Sequence, residues 1–265
     1  MTRGELIVED LYDKLHSMER RVRTGDSYPI HKKLRFAEEG VSDIYQWIAT
    51  IVDLKEGSRI LDAGCGVGFG STYLASQHGC MVTGISLSQS EIEQAAAYSK
   101  SKGLGSKVHF VKKSYDSPFD SSFDVIIAVE SLKHSVGLEA TCKNLTTHLS
   151  KGGKLIVVED FYMQKAHSRT ASLFADDWKL VDTYRLEDYY NYLPQDQCEW
   201  HDLTTHMSVK SRATTQVKIA FHNMMYRLLG KRDMDVYKIF RGGYYLDKLY
   251  ADKLMKYGAL IYTKA

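Results

Sequence analysis

The chain has 265 residues, of which 44% are apolar and 26% charged, and its 35 Lys plus Arg against 33 Asp plus Glu leave a formal charge of +2. These values exclude collagen-like, coiled-coil and disordered classes, and the near-zero charge argues against a dedicated nucleic-acid binder. Cys65, Cys80, Cys142 and Cys198 show no C-x-x-C spacing, so reduced thiols and a cytoplasmic protein are expected.

Residues 1–55 read as a helical cap broken once. Leu6, Leu11, Leu15 and Met18 recur at helical spacing, as do Ile44, Trp47, Ile48, Ile51 and Val52, and a turn cluster at residues 24–29 separates them. The charged first residues lack the apolar run of a signal peptide, and the longest aliphatic runs are strand-sized, so no membrane span is expected.

From Ser58 short apolar runs alternate with helical stretches. Strands are predicted at residues 59–62, 81–85, 108–111, 123–129 and 154–159, with helices at about 71–78, 88–102 and 138–149 between them. Ser88 caps the second of these helices, with Glu91 placed to complete a capping box. That alternation specifies an α/β fold with a parallel sheet covered on both faces by right-handed crossovers. A further strand is predicted at residues 179–185. A polar, aromatic and mainly helical stretch at 189–257 then reads as a lid over the carboxyl edge of the sheet, and residues 258–265 close the core as a terminal strand.

The strongest signal is Ile60-Leu61-Asp62-Ala63-Gly64-Cys65-Gly66-Val67-Gly68-Phe69-Gly70, a strand that runs through D-x-G-x-G-x-G-x-G into a helix. Alternate glycines let backbone N–H groups approach a ligand, and the helix N-terminus favours its anionic part. The spacing does not satisfy the dinucleotide fingerprint G-x-G-x-x-G, because Phe69 and Ser71 stand where the third glycine would be, and the Walker A Gly-Lys-Ser/Thr is absent.

At these residues the sequence resembles motif I of the class I S-adenosylmethionine-dependent methyltransferases, over about residues 45–188. The resemblance implies a Rossmann-like, seven-stranded, mostly parallel sheet at 56–188 and S-adenosylmethionine as cofactor, with S-adenosylhomocysteine as product. Asp62, Gly64, Cys65, Gly66 and Gly68 would then bind the cofactor. The second strand ends Gly84-Ile85-Ser86-Leu87-Ser88-Gln89-Ser90-Glu91, similar to the G-I-[ST]-L-S-x-x-Q of the sterol, γ-tocopherol and cyclopropane-fatty-acid branch. There Ser86 and Leu87 would hold the ribose, and Glu91, in place of Gln, serves either the ribose or the helix cap. After the third strand, Tyr115 matches the residue against adenine, and either Ser114 or Asp116 the polar contact; Val129 and Glu130 would also lie near the cofactor.

On the acceptor side, Glu130-Ser131-Leu132-Lys133-His134 resembles the E-S-x-x-H of small-molecule methyltransferases and Glu159-Asp160-Phe161 their A-D-F. His134 would be a general base or a helix-start residue satisfied by backbone, and Asp160 would orient it or the acceptor. Tyr28 and His31 match a segment that relatives fold over the cofactor, and Phe161, Tyr244 and Tyr245 are candidates for the acceptor pocket. The leading reading is therefore methyl transfer to a small molecule at C, N or O. Two alternatives stay open. One is C-methylation of an anionic isoprenoid or lipid through a carbocation stabilised by tyrosines, eleven of eighteen of which lie at or after Tyr184. The other is a cofactor-binding partner protein without catalysis. No metal-ligand spacing emerges, and a homo-oligomer is compatible with the sequence. Residues 205–256 hold eleven Lys plus Arg against four Asp plus Glu, which makes an anionic acceptor the expectation to test.

Overall fold

The computed structural model describes residues 2–22, 32, 34, 43–135, 137–164, 168–180, 182–228 and 234–265. Two helices precede the sheet, α1 (Arg3–Val22) and α2 (Ile44–Ile51). On α1 the inward face is Val8 and Leu11, whereas Leu6, expected inward, is exposed. The turn expected at 24–29 lies outside the described residues.

Strand β1 (Arg59–Ala63) leads to α3 (Phe69–His78), β2 (Met81–Ser86) to α4 (Gln89–Ser101), and β3 (Val108–Lys112) to β4 (Phe123–Val129). After β4 come α5 (Leu138–Thr147) and the long β5 (Leu149–Tyr162). Then α6 (Arg169–Trp178), the single turn α7 (Leu186–Tyr189), β6 (Cys198–Asp202), α8 (Arg212–Leu228), α9 (Met234–Ala251) and β7 (Met255–Thr263) complete the chain. The strand order is β3-β2-β1-β4-β5-β7-β6, with β1 to β5 parallel and β7 antiparallel to both β5 and β6.

Alternation along the central strands sorts their side chains onto two cores. Ile60, Val82, Ile127 and Ile156 pack on one face with Leu74 of α3 and Leu249 of α9. Leu61, Ile85, Ile126 and Leu155 pack on the other with Leu138, Cys142 and Leu145 of α5. The seven-stranded Rossmann-like expectation therefore holds.

Three local expectations need correction. The strand expected at 179–185 is not formed; Lys179 ends α6 in a left-handed conformation (φ 52°), and only Arg185 makes an isolated bridge, to Tyr162. The sixth strand is instead Cys198–Asp202, inside the stretch expected to be helical lid. Strand β5 begins at Leu149, earlier than the expected 154, and its register against β4 shifts between Phe123 and Val125.

Candidate active site

The carboxyl ends of β1, β2 and β4 open into a cleft of about 1060 Å³, its mouth included. Gly64 leaves β1 with φ 97°, and a Cβ there would stand 2.4 Å from Ser131 Cβ, so glycine is what lets the β1 and β4 loops meet. Ser131 Oγ closes that contact by donating to Ala63 O at 2.7 Å. Gly66 differs: its φ is 51°, but the nearest atom to an added Cβ is Glu91 Oε1 at 3.9 Å, so its bareness serves the cleft rather than packing.

On the β2 side, Ser86, Leu87, Ser88 and Glu91 line the cleft. Ser88 caps α4 by accepting from Glu91 N at 3.1 Å, while the Glu91 carboxylate turns away from the cap and accepts from Ser86 Oγ. Half of the expected capping box is thus replaced by a buried Ser86–Glu91 pair at the cleft wall.

Helix α1 covers the opposite side, and Val8, Glu9 and Tyr12 line the cleft. It is clasped by Ser88 Oγ donating to Asp13 at 2.5 Å, by Lys112 Nζ on Glu9 at 2.5 Å, and by Tyr12 Oη lying 3.1 Å from His134 Nε2. Tyr45 from α2 also lines the cleft.

Beyond the loop lies a buried charge cluster. Lys133 Nζ stands 3.4 Å from Asp160 Oδ2, 3.7 Å from Glu130 Oε2 and 3.8 Å from Glu159 Oε2, and lies over the Trp178 ring. Asp160 also accepts from Lys32 Nζ at 2.5 Å and from Tyr250 Oη; Glu130 accepts from Lys32 N at 2.9 Å and Tyr257 Oη at 3.0 Å. Glu130 sits at φ 51°, a strained conformation for a residue with a side chain, at the point where β4 ends in the cleft.

Burial disfavours the Lys133 ammonium, but Glu159, Asp160 and Glu130 together outweigh it and raise its pKa. Burial pushes Asp160 and Glu130 up, and Lys32 with Lys133 more than reverses this, leaving both below the usual carboxylate range. Glu159 is the exception. Burial raises it to about 7 despite Lys133, with Asp160 and Glu130 adding repulsion, and its Oε2 has no hydrogen-bond partner among the described residues. Burial, then the Lys133 charge, lowers His134 to about 3, so its imidazole is neutral at physiological pH. His134 Nδ1 is buried without a hydrogen-bond partner among the described residues.

Of the residues singled out from sequence, Gly64, Cys65, Gly66, Ser86, Leu87, Glu91, Tyr115, Val129, Glu130 and His134 line this one cleft. Others do not. Asp62 is buried beneath the loop, where it accepts from Tyr45 Oη at 2.9 Å and Ser71 Oγ at 2.6 Å, and so braces a cleft residue rather than lining the cleft. Gly68 is the N-cap of α3, against Phe110 and Ala95. Ser114 accepts from Asp116 N at 3.1 Å, and Asp116 accepts from Thr141 of α5, so neither is on the cleft wall. Asp160 is held by Lys32, Lys133 and Tyr250, not by His134.

Phe161 is buried edge-on to Tyr189 and Trp200. Tyr244 packs on His222 below Lys210 and Lys218, and Tyr245 is buried in the core, both away from the cleft. Tyr28 and His31 lie outside the described residues. Sequence reasoning missed Val8, Glu9, Tyr12, Tyr45, Lys133 and Trp178. Only Lys133 carried a signal, since it fills a variable place inside E-S-x-x-H.

A glycine loop over a helix N-terminus, a β2-end polar pair and a β3–β2–β1–β4–β5–β7–β6 sheet define the S-adenosylmethionine-dependent Rossmann-like methyltransferases as the class. Residues 61–157 match the family described as "Methyltransferase domain", which supports the S-adenosylmethionine-dependent class for that stretch. Sterol 24-C-methyltransferase ERG6B of Gibberella zeae is 32% identical over 115 residues, 43% of this chain and 30% of that protein. O-methyltransferase resE of Aspergillus sclerotiorum is 36% identical over 105 residues, 39% of this chain and 40% of that protein. The matched stretch thus spans well under half the length of these relatives. The crystal structure of the [4+2]-cyclase SpnF superposes with a TM-score of 0.72 at 21% identity, covering 97% of this chain and 94% of that one, which shows a shared fold.

The cleft fits the family's cofactor. The bare Gly66 leaves open space, the first turn of α3 presents Phe69 and Gly70 to it, and the Ser86–Glu91 pair offers hydroxyl and carboxylate oxygens.

Proposed function

We propose that this chain methylates a small acceptor at an acidic hydroxyl, phenolic or enolic, with Lys133 stabilising the oxygen and His134 taking its proton. The observation that carries this reading is the adjacency, in one cleft, of an imidazole kept neutral and an ammonium kept charged. The cofactor supplies an electrophilic methyl group on sulfonium, so the acceptor oxygen forms the new O–C bond as the S–C bond breaks and the hydroxyl proton leaves to the protein.

Lys133 lowers the pKa of a hydroxyl brought against it, because a nearby cation favours the oxyanion. The His134 ring has Nε2 at 3.1 Å from Tyr12 Oη and a buried Nδ1 with no hydrogen-bond partner among the described residues, so a neutral ring keeps one nitrogen able to accept a proton. A histidine whose pKa is lowered by burial and by Lys133 is a weak base, which suits an acceptor whose hydroxyl is already acidic. The O-methyltransferase name of the resE relative supports the same atom.

Carbon methylation through a carbocation fits less well. Tyr12, Tyr115 and Trp178 line the cleft, but the Trp178 face already carries the Lys133 ammonium. The basic lid lends an anionic acceptor little support, since Lys210, Arg212, Arg241, Lys248 and Lys256 are held by Asp247, Asp252, Asp177 and Asp202.

The test is incubation with methyl-labelled S-adenosylmethionine and parallel panels of phenols, enols, amines, sterols and prenyl diphosphates. Label on phenolic or enolic oxygen, lost in Lys133→Met and His134→Gln, is expected. Label confined to a carbon-methylated alkene, or turnover unchanged in both variants, would overturn the proposal.

A further inference from the structure

The outer face of α8 has no partner among the described residues. Val217, Phe221, Met224 and Leu228 recur at the four- and three-residue steps that align side chains on one helical face. They are 69%, 52%, 50% and 71% exposed, and Phe240 of the neighbouring α9 adds a fifth large apolar side chain at 53%. The opposite face is already used: Thr215 is fully buried and His222 stacks on Phe240 and Tyr244. Exposed apolar side chains scattered singly need no explanation, but a continuous row does.

The charges around the row select its occupant. No Asp or Glu occurs in α8, and Lys218 and Arg227 fall at about 90° to either side of the row by helical geometry. Among the described side chains nearby, Asp247 of α9 is taken by Lys210 at 2.8 Å, and Asp252, just past α9, by Arg212 and Lys248. Two copies packed through this face would bring cations against cations. A straight row with basic flanks, about 17 Å long, matches a flat anionic surface, where the apolar side chains insert and the basic ones reach headgroups.

We propose that α8 is an interfacial helix that docks this protein on anionic lipid bilayers through Val217, Phe221, Met224, Leu228 and Phe240. The proposal is independent of the acceptor chemistry above, and S-adenosylhomocysteine affinity serves as the control for folding.

The test is flotation of the full chain with vesicles of phosphatidylcholine alone and of phosphatidylcholine mixed with phosphatidylserine, alongside light scattering of the protein without lipid. A monomer that floats with the anionic vesicles at low salt is expected. Phe221→Ser with Leu228→Ser should weaken that binding at least about tenfold, and Lys218→Glu with Arg227→Glu should abolish the preference for phosphatidylserine. S-adenosylhomocysteine affinity should be unchanged in both. Absence of vesicle binding, vesicle binding indifferent to Phe221→Ser with Leu228→Ser, or a dimer that this double variant dissolves would each overturn the proposal. The last outcome would assign the face to a second copy.

Discussion

Tyr12 of the first helix lies 3.1 Å from His134 Nε2 with its ring edge-on to the imidazole, joining residues 122 positions apart. The contact makes α1 a wall of the cleft and ties the acceptor side of the site to the segment that covers the cofactor side.

Removing the Tyr12 hydroxyl leaves a buried imidazole nitrogen without its partner. Tyr12→Phe is expected to lower stability by about 1–3 kcal/mol, read by urea denaturation. His134→Gln should lower kcat by about 100-fold or more while S-adenosylhomocysteine affinity is kept, which calorimetry and initial rates separate. A kcat unchanged in His134→Gln would assign this histidine a structural role.

Lys133→Met strips one cation from among Glu130, Glu159 and Asp160. The uncompensated carboxylates should cost about 3–5 kcal/mol of stability at neutral pH. Lowering the pH should recover part of that loss, because protonation neutralises the stranded acids. Stability that is equal to wild type and flat with pH would show that the cluster does not depend on this ammonium.

The pH dependence of stability sets two buried groups against each other. His134 is lowered to about 3 in the folded state from an ordinary 6.5, so the unfolded chain binds the extra proton and stability rises with pH between those values. Glu159 is raised to about 7 from 4.5, so the folded state binds the extra proton and stability falls with pH over that window. Between about pH 4.5 and 6.5 the two slopes oppose, each at most about 1.4 kcal/mol per pH unit. Glu159→Gln should therefore steepen the rise of stability with pH, and His134→Gln should turn it into a fall. Chemical denaturation at half-unit pH steps reads both, and identical slopes in the two variants would contradict the assignment.

Two glycines in one loop should respond differently to alanine. Gly64→Ala drives a methyl group into Ser131 at a left-handed backbone position and is expected to destabilise the fold strongly. Gly66→Ala meets open space, so the fold should lose only about 1–2 kcal/mol from its left-handed φ, while S-adenosylhomocysteine affinity falls at least about tenfold. Thermal melts and calorimetry on the pair check the contrast.

The sheet was legible from β1 to β5 because the strands buried on both faces are apolar runs, because the exposed edge strand β3 still carries Val-His-Phe-Val, and because each is followed by a helix or a polar turn. The sixth strand was not. Cys-Glu-Trp-His-Asp at 198–202 is an edge strand that pairs only with β7 and buries no residue fully, so it has no apolar run to detect. The run at 179–185 looked like a strand because Leu180 and Val181 stand together, but the left-handed Lys179 turns the chain back and lets Leu180 pack as the end of α6. Within the site, neighbours along the chain were found and neighbours through space were not. Motif order identified Gly64, Ser86 and His134. Tyr12 and Tyr45 reach the cleft only through the packing of α1 and α2, and Asp62 points to the far side of its strand, where Tyr45 and Ser71 hold it.

The account stands or falls most directly on the cleft's ligand. Isothermal titration of the full chain with S-adenosylhomocysteine should show one site per chain with affinity in the micromolar range, weakened in Gly66→Ala without loss of the thermal transition. No heat of binding at millimolar ligand, or a site that is indifferent to Gly66→Ala, would contradict it.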